Sequence, residues 1–422
     1  MNTFYQLDPE FIRSATLIIF CVTYAGIALG HIWGLKLDRT GIVLLGAIAM
    51  LAFGCVSLSH AVQAVNYPSI LLLFSLMIIA SQLHFAGFYH SVARKISEFL
   101  ERPPFFLALL MLTSGILSAF LNNDVICFAF TPVVATALLR KRMNPLPFLI
   151  ALALSSNIGC ALTIIGNAQD VLVGQIAHLS FGGYILWVAV PVTLSMVTAY
   201  CIVYFLGRKH FYLPENSDIP TPPEDDTPFN TWRAIKGVGI TCIIVILFFT
   251  PLPRYLVALS AAGILLCSHR LESKKVLSGV DWQLLVLFIG LFVVVGAFHD
   301  SGLAIEGVDW LKKSGVNLQN PYVLALTTGA LSNLINNSAA VMLLIKVVDM
   351  SDPLHGYVLA LSNTFAGNLF LIGSVANIIV VQGAASLGVK ITFKDFAKYG
   401  IPTALASFVF LMLWVLLMTA FS

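Results

Sequence analysis

The chain has 422 residues, of which 59% are hydrophobic and only 10% charged, and its mean hydropathy is +0.92. Soluble domains carry roughly 25% charged residues, so an ordinary soluble domain is excluded and an all-α polytopic membrane protein is expected. The formal net charge of +3 says little about partners, because the basic residues are confined to loops; the expected surroundings are the lipid bilayer, and no nucleic-acid partner is expected.

Apolar segments suited to a bilayer core of ~30 Å fall near 15–34, 41–57, 68–87, 104–139, 146–178 and 183–206. The first follows Asp8, Glu10 and Arg13 rather than a basic n-region and lacks a cleavage site, so it reads as a retained helix and not a signal peptide. A polar linker over 208–233 contains Pro214, Pro220, Pro222, Pro223 and Pro228 with Glu224-Asp225-Asp226, too little apolar content for a core, and is expected as an exposed connector. Apolar segments resume near 236–250, 255–267, 283–299, 321–348, 357–388 and 399–420. Two amphipathic stretches, 89–101 and 303–313, occupy matching places and are expected to lie along the membrane surface.

The second half repeats the first. Leu117-Ser118-Ala119-Phe120-Leu121-Asn122-Asn123 returns as Leu331-Ser332-Asn333-Leu334-Ile335-Asn336-Asn337, and Leu152-Ala153-Leu154-Ser155 returns as Leu359-Ala360-Leu361-Ser362. His84 and Gly87 match His299 and Gly302, and the offsets stay between 207 and 215 residues. The expected organisation is an N-terminal repeat over 1–207 (scaffold helices 15–100, hairpin and transport helices 104–206), the linker 208–233, and a C-terminal repeat over 234–422 (scaffold 236–315, hairpin and transport helices 321–420).

Segments 104–139 and 321–348 are too long for one ordinary spanning helix and carry Asn pairs at their middles. Amides at membrane depth are tolerated only when buried in protein or lining a wet cavity, so each segment is expected as a re-entrant hairpin turning at Asn122-Asn123 or Asn336-Asn337. Loop charges set the orientation. Lys36, Arg39, Arg94, Lys95, Arg102, Arg140-Lys141-Arg142 and Arg208-Lys209 place their loops inside, as do Arg270, Lys274 and Lys275 in the second half. The uncharged loop 58–67, the counterpart of 268–281, falls outside. Each repeat therefore has about five crossings plus a hairpin, and the copies are inverted, with both termini outside and the linker cytoplasmic. Duplicated, inverted repeats with broken polar helices at matching places point to a secondary transporter with its site near the midplane.

The broken helices are marked by Ile165-Gly166-Asn167-Ala168-Gln169-Asp170 and Ile372-Gly373-Ser374-Val375-Ala376-Asn377. Glycine permits unwinding, and the polar residue after it is expected to line the site. Asp124 follows the first Asn pair where Ser338 follows the second, and Asp170 stands where the second copy has Asn377. A carboxylate at the membrane centre costs roughly 3 kcal/mol or more on insertion scales and persists when it binds a cation, pairs with a base or carries a proton. The competing reading is that either Asp caps its half-helix. Ser118 and Ser332, one turn before the Asn pairs, join the site or bond their own backbone. His84 and His299 read as interfacial or hydrogen-bonded, with proton sensing as the alternative, and Lys346 as snorkelling outward.

Seven scattered cysteines without a CxxC pair argue against disulfides or a metal centre. Cys127 and Cys160, near the breaks, read as packing residues. No cofactor is expected beyond a coupling H⁺ or Na⁺. There is no phosphate-binding Gly-rich loop, and no nucleophile–base pair suggests an enzyme. Paired breaks favour alternating access over a passive channel.

These motifs resemble the ion transporter superfamily, most closely its ArsB/NhaD-type permeases. The likeness is strongest at Leu121-Asn122-Asn123-Asp124, at Phe130-Thr131-Pro132 and over Ile165–Asp170. Divalent-anion:sodium symporters share the architecture but carry Ser-Asn-Thr at both tips. The resemblance implies an inner-membrane secondary transporter of a small inorganic or organic anion or oxyacid, arsenite-like or a carboxylate, coupled to H⁺ or Na⁺. It implies an elevator-like motion of hairpins and broken helices against the scaffold, and a homodimer. The expected substrate and ion site comprises Ser118, Asn122, Asn123, Asp124, Gly166, Asn167, Asp170, Ser332, Asn336, Asn337, Ser338, Gly373, Ser374 and Asn377, with Na⁺ at Asn123, Asp124 and Asn337. The alternative function is a Na⁺/H⁺ antiporter, since competition of the two ions for one carboxylate suffices for exchange.

Overall fold

The computed structural model describes residues 8–30, 37–213, 229–267 and 272–420. The topology charges Lys36 and Arg270 and the proline-rich stretch 214–228 lie outside the described residues.

The first repeat contributes α1 (Pro9–Leu29), α2 (Arg39–Ala52), a short α3 (Leu58–Ala64), α4 (Tyr67–Phe85) and α5 (Phe88–Ser97). The hairpin follows as α6 (Pro103–Leu121) and α7 (Asn123–Arg140), then the halves of the broken helix, α8 (Pro145–Cys160) and α9 (Ala168–Ile176), and α10 (Phe181–Gly207). The second repeat runs through the same order: α11 (Thr231–Leu247), α12 (Arg254–Leu266), α13 (Ser273–Ser278), α14 (Trp282–Asp300), α15 (Leu303–Lys313), α16 (Pro321–Ile335), α17 (Asn337–Val347), α18 (Pro353–Ala366), α19 (Val375–Ser386) and α20 (Phe393–Ala420). The fold is all-α: among the described residues the only β feature is an isolated bridge between Met143 and Tyr212. Among the described residues, seven helices (α1, α4, α6, α7, α10, α14 and α20) are long and apolar enough to cross a membrane, and large apolar side chains such as Leu186, Phe205 and Ile246 are exposed on them or on neighbouring helices. The protein is a multi-pass membrane protein.

Local chemistry sets the same boundaries in both copies. Helices α6, α8, α16 and α18 each start with proline at the first position, where the missing N–H is an orphan anyway. Asn144 and Asp352 cap α8 and α18. Gly87 and Gly302 both adopt positive φ, 70° and 78°, at the bend into the amphipathic helices α5 and α15.

The repeats are interlocked. Scaffold helix α4 packs on α12 of the other repeat, α14 packs on α2, and the closing helices α10 and α20 pack on each other. Within each repeat the ascending hairpin arm lies along the first half of the broken helix, α6 on α8 and α16 on α18. The α6–α8 crossing is very close: a Cβ placed on Gly159 would come within 2.2 Å of the Gly115 Cα. The polar linker is less exposed at its ends than its composition suggests. Phe211 is buried against Phe148, with ring centroids 4.8 Å apart, Leu213 N–H donates to the Arg142 carbonyl, and Asn230 N–H donates to the Ala86 carbonyl. An aromatic anchor and backbone hydrogen bonds outweigh the polar composition there.

The close crossing yields an asymmetric outcome. Gly159→Ala meets backbone and should destabilise the protein by about 1–3 kcal/mol. Gly115→Ala meets chiefly the flexible Cε end of Met196 and should be close to neutral. Thermal unfolding of both variants in detergent checks the contrast.

Candidate functional site

Each hairpin turns at the expected asparagine. Asn122 (φ 72°, ψ 124°) and Asn336 (φ 86°, ψ 146°) hold a backbone conformation that few residues other than glycine adopt. In both, Oδ1 accepts the N–H two residues on, from Asp124 at 2.9 Å and Ser338 at 3.2 Å. Asn167 caps α9 with a one-residue-longer reach, its Oδ1 accepting the Asp170 N–H at 2.7 Å. The asparagines therefore cap these half-helices, and neither Asp124 nor Asp170 does.

The two repeats then exchange hydrogen bonds at the centre. Asn157, on α8, uses its whole amide: Oδ1 accepts from Asn123 Nδ2 and Ser374 Oγ, both at 3.1 Å, and Nδ2 donates to Asn368 Oδ1 and Asn377 Oδ1, both at 3.0 Å. Thr364, on α18, makes the mirrored connection, its hydroxyl lying 3.2 Å from Asn167 Nδ2 and 3.4 Å from the Asp170 carboxylate. The first half of each broken helix thus pins the second half of the broken helix in the opposite repeat. Gln169 Nε2 donates to Ser338 Oγ at 2.7 Å, tying the first break to the second tip.

A cavity of about 70 Å³ lies at this junction. Of the expected residues it is lined by Asn123, Asp124, Asn167, Asn336, Asn337, Ser338, Gly373 and Ser374. Asn122 faces instead a second cavity of about 250 Å³, bordered by Ser81, His84 and Asp281, and Asp124 borders both. Among the described residues no side chain hydrogen-bonds the Asp124 carboxylate.

Five expected residues stand behind the cavity wall. Ser118 turns to Ser156 (2.7 Å) and Ser332 to Asn363 Oδ1 (2.6 Å), so neither bonds its own backbone nor faces the cavity. Asp170 is fully buried, its carboxylate taking Asn167 Nδ2 at 2.7 Å, and holds two lining residues in place. Asn377 divides its amide between Asn157 and the carbonyls of Gly367 and Phe370. Gly166 contributes a carbonyl that accepts the Asn123 N–H at 3.3 Å. Neither Gly166 nor Gly373 has positive φ among the described backbone. Glycine is required there for close approach: a Cβ would lie 2.1 Å from the Cys160 carbonyl oxygen at Gly166, and 2.9 Å from Asn333 Oδ1 at Gly373.

Five polar lining residues stand outside the expected set, one of them, Gln169, within the first break motif itself. Asn157, Asn363 and Thr364 follow the repeated Leu-Ala-Leu-Ser tetrapeptide, and polar residues at that place in both copies were the available signal. Arg39, read as a loop charge, is the first residue of α2 and lines the cavity. Three features leave the cavity chemically open. Asn337 Oδ1 and Asn363 Nδ2 are buried without a hydrogen-bond partner. The start of α19 has no side-chain cap, because Ser374 Oγ is spent on Asn157.

Comparison with known proteins settles the family. The profile of the citrate transporter family matches residues 16–360. The chain belongs to this family. It is 30% identical over 414 residues to the 46 kDa membrane protein of Mycobacterium leprae, covering 93% of this chain and 95% of that one. A Dictyostelium discoideum chain carrying the name arsB is 22% identical over 501 residues, covering 92% and 88%. The silicon efflux transporter LSI3 of Oryza sativa is 25% identical over 449 residues, covering 88% and 91%. Among solved structures, Neisseria gonorrhoeae MtrF, described within a class of antimetabolite efflux pumps, shares the fold with a TM-score of 0.62 at 10% identity, over 97% of this chain and 94% of that one. The chain is a transporter of the citrate transporter family with ArsB-like relatives, as the hairpin and break motifs implied.

Asn157 is the residue whose loss should be felt most. Asn157→Ala strands four partners, three of them buried, and should cost about 1–3 kcal/mol, with transport lost even where the variant still folds. Thermal unfolding and proteoliposome uptake on the same preparation test both halves.

Proposed function

We propose that this protein is a secondary active transporter of a small anion or oxyacid, arsenite-like or a carboxylate, coupled to H⁺ or Na⁺ and working by elevator-type alternating access in the inner membrane. Both termini are outside and the linker cytoplasmic, following the basic loops. The observation that carries the reading is the convergence of four half-helix N-termini, those of α7, α9, α17 and α19, on one small polar cavity that also holds Asp124. Half-helix N-termini present N–H groups and the positive end of a dipole to negative charge. Asp124 supplies the coupling: an unpaired carboxylate that borders two cavities can take up a proton or cation from one and surrender it to the other.

Sodium fits the oxygen donors present. The Asp124 carboxylate and the orphaned Asn337 Oδ1 line the same cavity and suit a hard cation, while Asn123 commits its amide N–H to Asn157 and can join only through oxygen. That same pair of donors favours the second reading, a Na⁺/H⁺ antiporter. Cavity size speaks for a small solute in either case.

Proteoliposomes loaded with a pH-sensitive dye and pulsed separately with sodium chloride, arsenite and small carboxylates separate the readings. Proton movement is expected only when an anion or oxyacid is supplied, and it should vanish in Asp124→Asn with the protein still monodisperse. Proton movement evoked by sodium alone makes the protein an antiporter. Concentrative transport at wild-type rates by Asp124→Asn removes the carboxylate from the mechanism.

A further inference from the structure

Among the described residues, one side chain lining the central cavity is cationic: Arg39. It comes from a different part of the molecule than its neighbours. The hairpin tips and broken helices supply most of the lining, whereas α2 packs on α1 and α14. The Arg39 side chain is half-buried and makes no hydrogen bond or ion pair to any described residue. A guanidinium carries five N–H donors in a planar fork, and withdrawing it from water without a partner is unfavourable.

Two further donors face the same space unmatched. Asn363 is 1% exposed and its Nδ2 has no partner. The N-terminus of α19, which begins at the lining residues Ser374 and Val375, is uncapped. Among the described residues the lining acceptors without a hydrogen bond are the Asp124 carboxylate and the side-chain oxygens of Asn123, Gln169 and Asn337. When Asp124 is protonated or holds a cation, Arg39 leaves the cavity net positive.

We propose that Arg39 sets the charge of the cargo, so that the preferred substrate is an oxyanion or carboxylate presenting two oxygens on one centre to the guanidinium fork, with the start of α19 and Asn363 Nδ2 on its other side. A neutral oxyacid fits less well, because its hydroxyl protons would meet N–H donors rather than acceptors. Since Arg39 sits on α2 and the other donors sit on the hairpin and broken-helix elements, relative movement of the two groups opens the grip and frees the anion. This inference rests on the reading of the Asp124 cavity as the transport site.

The test compares wild type, Arg39→Lys and Arg39→Gln in proteoliposomes, with arsenate, phosphate and citrate as anionic probes and arsenous acid, uncharged at neutral pH, as the neutral one. Charge-assisted hydrogen bonds of this kind correspond to roughly tenfold or more in affinity. The anionic-to-neutral ratio of kcat/KM should therefore fall about tenfold or more in Arg39→Gln, through KM, with partial recovery in Arg39→Lys. In detergent, thermal stabilisation of wild type by the transported anion should be lost in Arg39→Gln, a readout that needs no transport. An unchanged ratio in Arg39→Gln overturns the proposal, and so does a wild type that carries arsenous acid but none of the anions. In both of those cases Asp124→Asn still abolishes proton-coupled flux if the transport reading is right. Proton movement with sodium alone and no flux of any probe defeats the transport reading itself.

Discussion

A bilayer offers no hydrogen bonds, so every helix break inside this molecule has to be satisfied by the protein itself. Four half-helix ends meet at its centre, and the amide of Asn157 is what lets them do so. All four of its hydrogen-bonding positions are occupied, and its partners are the first hairpin tip, both polar positions of the second broken helix and Asn368 beyond α18. The abundance of asparagine at this centre follows from that constraint: a short amide side chain both donates and accepts, carries no net charge, and tolerates the positive φ that the tips require at Asn122 and Asn336. The glycine contact between α6 and α8 belongs to the same arrangement. It brings the first hairpin close enough for Asn123 to reach Asn157 and for Ser118 to reach Ser156.

The two halves solve the same problem with different residues, and the differences locate the chemistry. Asn157 of the first repeat has Thr364 as its counterpart, Asn377 of the second has Asp170, and Ser156 has Asn363. Each substitution keeps a bond in the lattice while changing what remains free. Asn123 at the first tip spends its side-chain Nδ2 and its backbone groups within the protein, whereas Asn337 at the second keeps a buried oxygen unpaired. Asp124 brings a carboxylate where Ser338 brings a hydroxyl already bound by Gln169. A duplicated frame with asymmetric side chains produces one site with a charged side and an open side, rather than two equal sites. The two acids consequently differ in setting: Asp170 is locked between Asn167 and Thr364, while Asp124 has no side-chain hydrogen-bond partner among the described residues and borders two cavities.

The interlocking of the scaffold gives this site its position. With α4 on α12 and α14 on α2, neither repeat folds into a separate body, and the start of α2 is carried to the central cavity. Arg39 reaches the site by that route alone. Exposed apolar residues on the outer helices and buried hydroxyls and amides at the centre are the two halves of one partition, set by lipid outside and a polar cavity inside.

Much of this was legible in the sequence. Composition, the length of the apolar runs and the collinear duplication determined an all-α membrane protein with hairpins turning at Asn122-Asn123 and Asn336-Asn337, because continuous apolar runs of that length satisfy their backbone in lipid as helices, and paired amides are tolerated there only where protein surrounds them or they line a wet cavity. The breaks at Gly166 and Gly373 were legible for the same reason, although the glycines serve close packing rather than unusual φ. Which polar residues face the cavity was not. Ser118, Gly166, Asp170, Ser332 and Asn377 share the motifs of the lining residues yet stand one layer back, and Arg39 looks like any loop charge. A helix's rotation about its axis is decided by the neighbours it packs against, and here those neighbours come from the opposite repeat, some two hundred residues away in the chain. Local sequence records how polar a residue is; only the tertiary structure decides what it faces.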